Sequence, residues 1–331
     1  MSRLKTALII FFSVIACLSA FLAAVFACHR ILLKKERGLL NPLGQIVEVD
    51  GHGMSVWSGG DGEDTLVFLS GSGTCSPVLD FKSLYSLLSG RYRIAVPERF
   101  GYGSSDVVDK PRDIDSILYD TRAALRAAGI GGPYVLVAHS MAGLEALYWA
   151  QKYPCEVKAV IGLDMAVPGY YEDMRISMPL MGAARIAACL GLTRLVPGIS
   201  ERDAVRHGTL SEQEKEIYRA FFFSRTMTVS MINEARHVRE NAEKVRALGR
   251  PEIPVLLFVS DGSGGTGFST ETWRRIAADW LSGVEEGECV LLDCPHYVHD
   301  YEYAVISERI VSFISGMDGG SAHGRNCFIS N

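Results

Sequence analysis

The sequence predicts an α/β fold: a mostly parallel sheet covered by helices on both faces, with a helical cap and one N-terminal transmembrane helix. Three observations carry this. Short apolar runs alternate with helical patterns from about residue 65 to 163, and again from about 254 to 314. From Pro168 to Gly249 strand signals lapse and only helical stretches remain. Ahead of both, Thr6 to Cys28 is about 23 residues without a charge, long enough to cross a bilayer. The expected division is an anchor with a basic flank (1–38), an α/β domain (39–315) whose cap spans about 168–250, and a disordered tail (316–331).

Length and composition narrow the function. A chain of 331 residues with 48% hydrophobic and 21% charged residues can hold one large or two small domains with a sizeable core. A net charge of −5 gives no electrostatic case for nucleic acid. There is no internal repeat, phosphate-binding loop or Cys/His zinc spacing, so no cofactor and no metal is expected. The N-terminal apolar run exceeds the roughly 7–15 residues of a cleaved signal peptide, which favours an uncleaved single-pass anchor. Val25-Phe26-Ala27 would still suit a cleavage site, and Val14 to Cys17 loosely resembles a lipoprotein one. Basic residues flank the run on both sides (Arg3 and Lys5; Arg30, Lys34, Lys35 and Arg37), so the side occupied by the domain stays open. Of the eight cysteines, Cys17 and Cys28 lie in the anchor and the other six show no paired spacing, which leans toward buried, reduced thiols and leaves the redox state open.

The elements follow in order. Gln45–Val49 and Met54–Trp57 alternate around Asp50-Gly51, a hairpin signal. Thr65–Leu69 is a continuous apolar strand. Ser76 caps a helix starting at Pro77, with Leu79, Leu84, Leu87 and Leu88 as its buried stripe. Arg93–Val96 is the next strand; Ile117, Leu118, Thr121, Ala124 and Leu125 keep helical spacing, and Gly129 ends that helix. Tyr134–His139 is a strand running into small residues and a helix through Tyr153. Val157–Leu163 is a strand ending at Asp164. In the insertion, Ser211 with Glu214 makes a capping box opening a helix that carries Tyr218, Phe221, Phe222 and Phe223. Strand order returns at Pro254–Val259, followed by a helix at Trp273–Leu281, a strand at Cys289–Leu292 and a helix near Ala304–Ile314. The rest, from Gly316, is rich in Gly, Ser and Asn.

The chemistry centres on Ser140. It stands where the Tyr134–His139 strand meets the next helix, with Ala138 two residues before and Ala142 two after. A serine on so tight a turn is lifted clear of the backbone, and only small neighbours fit at minus two and plus two. An ordinary strand-to-helix turn with a capping serine would fit the same stretch. A serine hydroxyl attacks only when a base takes its proton, a third group orients the base and backbone donors await the oxyanion. Each part belongs at a strand end, where open α/β sheets place their sites. The donors are the Met141 amide, which opens the helix, and the Ser72 amide in Ser70-Gly71-Ser72-Gly73. The base is His296, between the last strand and the last helix. His139 should point away from Ser140, as adjacent side chains do, and His299 reads as a packing or supporting residue. For the acid, Asp164 and Asp261 each end a strand, and either keeps the order Ser, Asp, His.

These stretches resemble the α/β-hydrolase fold superfamily, specifically its capped esterase and lipase-like branch, over about residues 45–315. Leu69-Ser70-Gly71-Ser72-Gly73 is similar to the family's Leu-His-Gly-x-Gly oxyanion loop, with Ser70 in place of His. Arg99 to Asp106 resembles its Arg-x-Gly-Tyr-Gly-x-Ser-Asp turn, Ala138 to Gly143 its Gly-His-Ser-Met-Gly-Gly elbow, and Pro295 to His299 its Gly-His-x-x-His segment. In the family the acid usually sits three residues after a glycine. Here Ser260 takes the glycine's place and Ser263 the acid's, with Asp261 two residues early. Other members carry the acid after the preceding strand, where Asp164 stands, and Asp164 is preferred. The resemblance implies a serine hydrolase cleaving an ester or related acyl bond; the Met, Leu and Phe content of the helical insertion suggests an apolar acyl or alcohol group, and the N-terminal run a membrane tether. Acyl transfer to an acceptor other than water, peptide or C–C bond hydrolysis, and a weakly catalytic binding module are the alternatives.

Overall fold

The computed structural model describes residues 3–172 and 174–319. Eight strands among them form one sheet: β1 (Gln45–Val49), β2 (His52–Gly59), β3 (Thr65–Leu69), β4 (Arg93–Glu98), β5 (Tyr134–His139), β6 (Val157–Leu163), β7 (Val255–Val259) and β8 (Gly287–Leu291). The spatial order is β1-β2-β4-β3-β5-β6-β7-β8. The β1–β2 and β2–β4 pairs are antiparallel, and the pairs from β4 through β8 are parallel. The hairpin turns at Asp50-Gly51, both with positive φ, as the sequence expects.

Helices cover both faces. They are α1 (Arg3–Glu36), α2 (Pro77–Asp80), α3 (Lys82–Leu88), α4 (Ile114–Ala127), α5 (Ala142–Lys152), α6 (Met178–Leu190), α7 (Asp203–Arg206), α8 (Glu212–Arg225), α9 (Val229–Ala247), α10 (Thr270–Leu281), α11 (Val298–Tyr301) and α12 (Tyr303–Gly319). Every residue of β3, β5 and β7 is buried, because parallel strands covered on both sides have no solvent face. Alternation then splits each strand between two cores. Val67 and Leu69 join the cluster beneath α4, α5 and α10, whereas Leu66 and Phe68 join the one beneath α3 and α12.

Three expectations at helix ends are corrected. The Ser76 helix breaks at Phe81, which resets its phase: Phe81, Leu84, Tyr85 and Leu88 are buried while Leu87 is 53% exposed. Ser76 occupies the N-cap position, but its hydroxyl makes no capping bond. The last helix runs through Gly319 rather than ending before Gly316, because Phe313, Ile314 and Met317 pack on the core. Of the expected tail, residues 320–331 lie outside the described residues. The expectation of buried, reduced thiols holds only in part: Cys75 and Cys294 are buried and free, Cys189 and Cys289 are free but exposed, Cys155 is disulfide-bonded, and Cys327 lies outside the described residues.

Between β6 and β7 the chain is helical. The Ser211–Glu214 capping box opens α8, which buries Tyr218, Phe221 and Phe222. The returning helix α9 packs against α5 and against Pro168–Tyr171. Helix α1 is long and apolar enough to cross a membrane. Its lower half docks on this helical region: Arg194 donates to both Glu36 oxygens (2.9 and 2.6 Å) and to His29 Nδ1 (2.9 Å), with its guanidinium over the Phe223 ring.

Candidate active site

Strands β3, β5, β6 and β7 all run the same way, so the loops leaving them, and the loop after β8, gather at one edge of the sheet. Ser140 leaves the central strand β5 with φ of 52°, in the left-handed region that a side-chain-bearing residue rarely adopts. The turn is held by its carbonyl, which accepts from Gly143 N (2.9 Å) and Ala166 N (2.7 Å). Ala138 and Ala142 are fully buried, so the small flanking residues have a packing reason. Two glycines are required by space. A Cβ on Gly143 would lie 2.3 Å from the Ala166 carbonyl oxygen, and one on Gly71 would lie 2.8 Å from Ser140 Cβ and 2.9 Å from His139 Nδ1. Gly71 therefore brings the oxyanion-loop candidate, with the Ser72 amide next in chain, against Ser140; Met141 follows Ser140 directly and opens α5.

His296 completes the arrangement. Its Nε2 stands 2.9 Å from Ser140 Oγ and its Nδ1 2.5 Å from Asp164 Oδ2. An ionised carboxylate only accepts, so the shared proton lies on Nδ1 and Nε2 is left to accept from the serine hydroxyl. The loop carrying His296 is tied to the one after β7: His296 N donates to Ser263 O and Asp261 N to Cys294 O.

Asp164, and not Asp261, reaches the histidine. Asp164 is 1% exposed and accepts from four donors. They are Ser260 N (2.7 Å), Ser260 Oγ (2.7 Å), Trp273 Nε1 (2.8 Å) and His296 Nδ1. Asp261 sits one residue past Ser260 and turns outward, its carboxylate accepting from the Ser263 amide in a local turn. The position two residues early, noted in the sequence, is thus a turn position. Ser260 and Trp273 are the partners that sequence reasoning missed. The substitution of serine for the family's glycine marked the place, but nothing in the sequence tied it to a carboxylate 96 positions earlier. Trp273 is itself fixed, stacked on Tyr170 at 3.8 Å between ring centroids.

The other two histidines lie behind the site. His139 is 1% exposed and its Nε2 lies 3.2 Å from the His296 carbonyl oxygen, so it supports the loop that carries His296. Burial, with His299 and His296 beside it, pushes the His139 imidazole well below its ordinary pKa and keeps it neutral. His299 is fully buried against Asp80.

A buried ionic network flanks the oxyanion loop. Arg99 reaches Glu145 (3.2 Å), the Gly71 carbonyl (3.3 Å) and Glu234 of α9 (3.4 Å). Tyr102 donates to Glu234 (2.6 Å) and accepts from Gly73 N (3.4 Å). The two residues named by the Arg-x-Gly-Tyr motif therefore grip the loop on either side of Ser72. A cleft of about 630 Å³ lies among the segments that follow β6 and β7, lined by Pro168, Tyr170, Met174 and Phe268 and by Ile276 and Trp280 of α10.

Comparison with known proteins agrees with this architecture. The family model described as alpha/beta hydrolase fold matches residues 64–303. The chain belongs to the α/β-hydrolase fold family. YbdG, an uncharacterized protein of Bacillus subtilis (strain 168), is 39% identical over 265 residues, covering 78% of this chain and 81% of YbdG. Among solved structures, the epoxide hydrolase VrEH1 from Vigna radiata superposes with a TM-score of 0.60 at 20% identity, over 82% of this chain and 97% of its own. A membrane phospholipase A, described as a bacterial virulence factor, superposes with a TM-score of 0.60 at 18% identity, over 96% of this chain and 100% of its own.

Proposed function

We propose that this protein is a membrane-anchored serine hydrolase that cleaves an ester or related acyl bond through a covalent acyl-enzyme. The observation that carries the reading is the unbroken chain Ser140 Oγ–His296–Asp164, on a strained turn at the sheet's C-terminal edge. Ser140 Oγ attacks the acyl carbon while its proton passes to His296 Nε2. Asp164 keeps the imidazole in the productive tautomer and stabilises the imidazolium. The carbonyl oxygen takes the negative charge and is met by the Met141 and Ser72 amides. His296 returns its proton to the leaving alkoxide, and the alcohol departs. Water, deprotonated by His296, then attacks the acyl-Ser140 ester and releases the acid.

The substrate we assign is an apolar acyl ester reached from a membrane surface, with the helical segment of about 168–250 as the lid. Helix α1 supports the anchor, and its docking through Arg194 ties any bilayer it crosses to the cap region. Leu180, Ile186, Leu195 and Val196, in or just after α6, are all more than half exposed, next to a helix of the same apolar character. The membrane phospholipase A adds support, since a match over 96% of this chain includes most of α1. The test is hydrolysis of p-nitrophenyl esters of increasing chain length by the full-length protein in detergent micelles. Turnover that rises with acyl length and vanishes in Ser140→Ala is expected; turnover unchanged in Ser140→Ala would end the serine reading.

A further inference from the structure

We propose that Asp80, His299 and Asp300 form a buried binding site for one divalent transition-metal cation, of the zinc or manganese class. Asp80 closes α2, beyond the oxyanion loop, and His299 and Asp300 lie in α11, just after His296. The three side chains are 0–1% exposed, and one ligating atom from each lies within 4.8 Å of the others.

The hydrogen bonding of the cluster is incomplete in a way that points to a ligand. Neither carboxylate oxygen of Asp300 has a partner. Asp80 receives Tyr218 OH at 3.1 Å on Oδ1, and His299 Nε2 lies 3.4 Å from Oδ2. That second separation is long for a hydrogen bond. It matches two ligands on one ion: with metal–ligand bonds near 2.0–2.1 Å, the edge of a tetrahedron is about 3.3 Å. Asp300 would draw in by up to roughly 1.5 Å, within reach of a side-chain rotation.

Charge makes the same case. Two carboxylates buried side by side carry a desolvation penalty of several kcal/mol each unless paired. Asp203, acidic as well, adds to the negative field at Asp300; it accepts from Tyr301 OH at 3.2 Å. A divalent cation with two carboxylates and a neutral imidazole is electrically balanced, and that mixed oxygen and nitrogen set suits zinc or manganese. The supporting contacts are those that orient metal ligands: Tyr218 OH fixes the Asp80 carboxylate, and Phe81 packs on the His299 ring at 4.9 Å between centroids. So placed, the cation is structural. It pins α11, and with it the loop holding His296, to α2. It shares no residue with Ser140, His296 or Asp164, so it stands or falls independently of the serine reading.

The alternative is a proton shared by the two carboxyls, and one experiment separates them. The full-length protein, purified in detergent without added metal and with any affinity tag removed, is analysed for bound metals, then unfolded thermally before and after chelator treatment. About one zinc or manganese ion per chain is expected. Chelation should lower the melting temperature, added Zn²⁺ or Mn²⁺ should restore it, and Asp300→Asn should bind no metal and ignore the chelator. No bound metal in the wild type, together with no thermal response to either ion after chelation, overturns the site. So does metal retained equally by Asp300→Asn, which would place it elsewhere. If Asp300→Asn does not fold, the wild-type metal content and its thermal response decide alone.

Discussion

Replacing Asp164 by Asn separates the two carboxylates that the sequence left open. An Asn at this position keeps one acceptor oxygen, which can stay at the Oδ1 place to receive Ser260 N and Trp273 Nε1. The amide NH₂ then takes the Oδ2 place, facing Ser260 Oγ and His296 Nδ1. A hydroxyl can accept, so Ser260 adapts. His296 cannot, except by moving its proton from Nδ1 to Nε2, where it confronts the Ser140 hydroxyl as a donor and is useless as a base. The fold is kept and the chemistry is lost. The expected fall in kcat is about 10³- to 10⁴-fold, as for the same exchange in other Ser-His-Asp sites, or roughly 4–5.5 kcal/mol of transition-state stabilisation. Asp261→Asn retains its acceptor for the Ser263 amide and should leave kcat within about twofold. The assay is steady-state ester hydrolysis by full-length protein in detergent, with melting temperatures to show that both variants fold. A large loss in Asp261→Asn with near-normal turnover in Asp164→Asn would refute the reasoning.

Three further outcomes are expected. Gly71→Ala places a methyl 2.8 Å from Ser140 Cβ and should displace the oxyanion loop, lowering kcat about 10²-fold with little change in melting temperature. Glu234→Ala leaves Arg99 and Arg112 short of a buried carboxylate, and should cost about 3–5 kcal/mol in denaturant unfolding. Glu98 is fully buried, and burial raises its carboxyl from 4.5 to about 7. The folded state therefore holds that proton more tightly, so the contribution is complete below pH 4.5 and is lost as pH rises through about 7. The loss is roughly 3 kcal/mol, and Glu98→Gln, which needs no proton, should flatten that part of the pH–stability curve.

Periodicity placed the strands and helices well because buried parallel strands are continuous apolar runs and their helices carry one apolar stripe. It failed where local phase changes without a sequence mark, as at Phe81, where the helix breaks and Leu87 turns to solvent. The candidate site was legible for residues that must sit at strand ends or turns: Ser140 and His296, with Asp164 as one of two candidate acids. It was not legible for Ser260, Trp273, Glu145 and Glu234, whose partners lie far along the chain and are set by packing rather than spacing. The choice between Asp164 and Asp261 was of this second kind. Both end strands, and only the position of Ser260 between them and the direction of its hydroxyl favour one.

The central claim is that Ser140 is a nucleophile activated by His296. Its most direct test is reaction of the full-length protein with a fluorophosphonate, read by intact mass and by peptide mapping. A single phosphonyl adduct on Ser140 is expected, absent in Ser140→Ala and formed far more slowly in His296→Ala. Folded wild-type protein that takes up no adduct, or that carries it on another residue, would contradict the account.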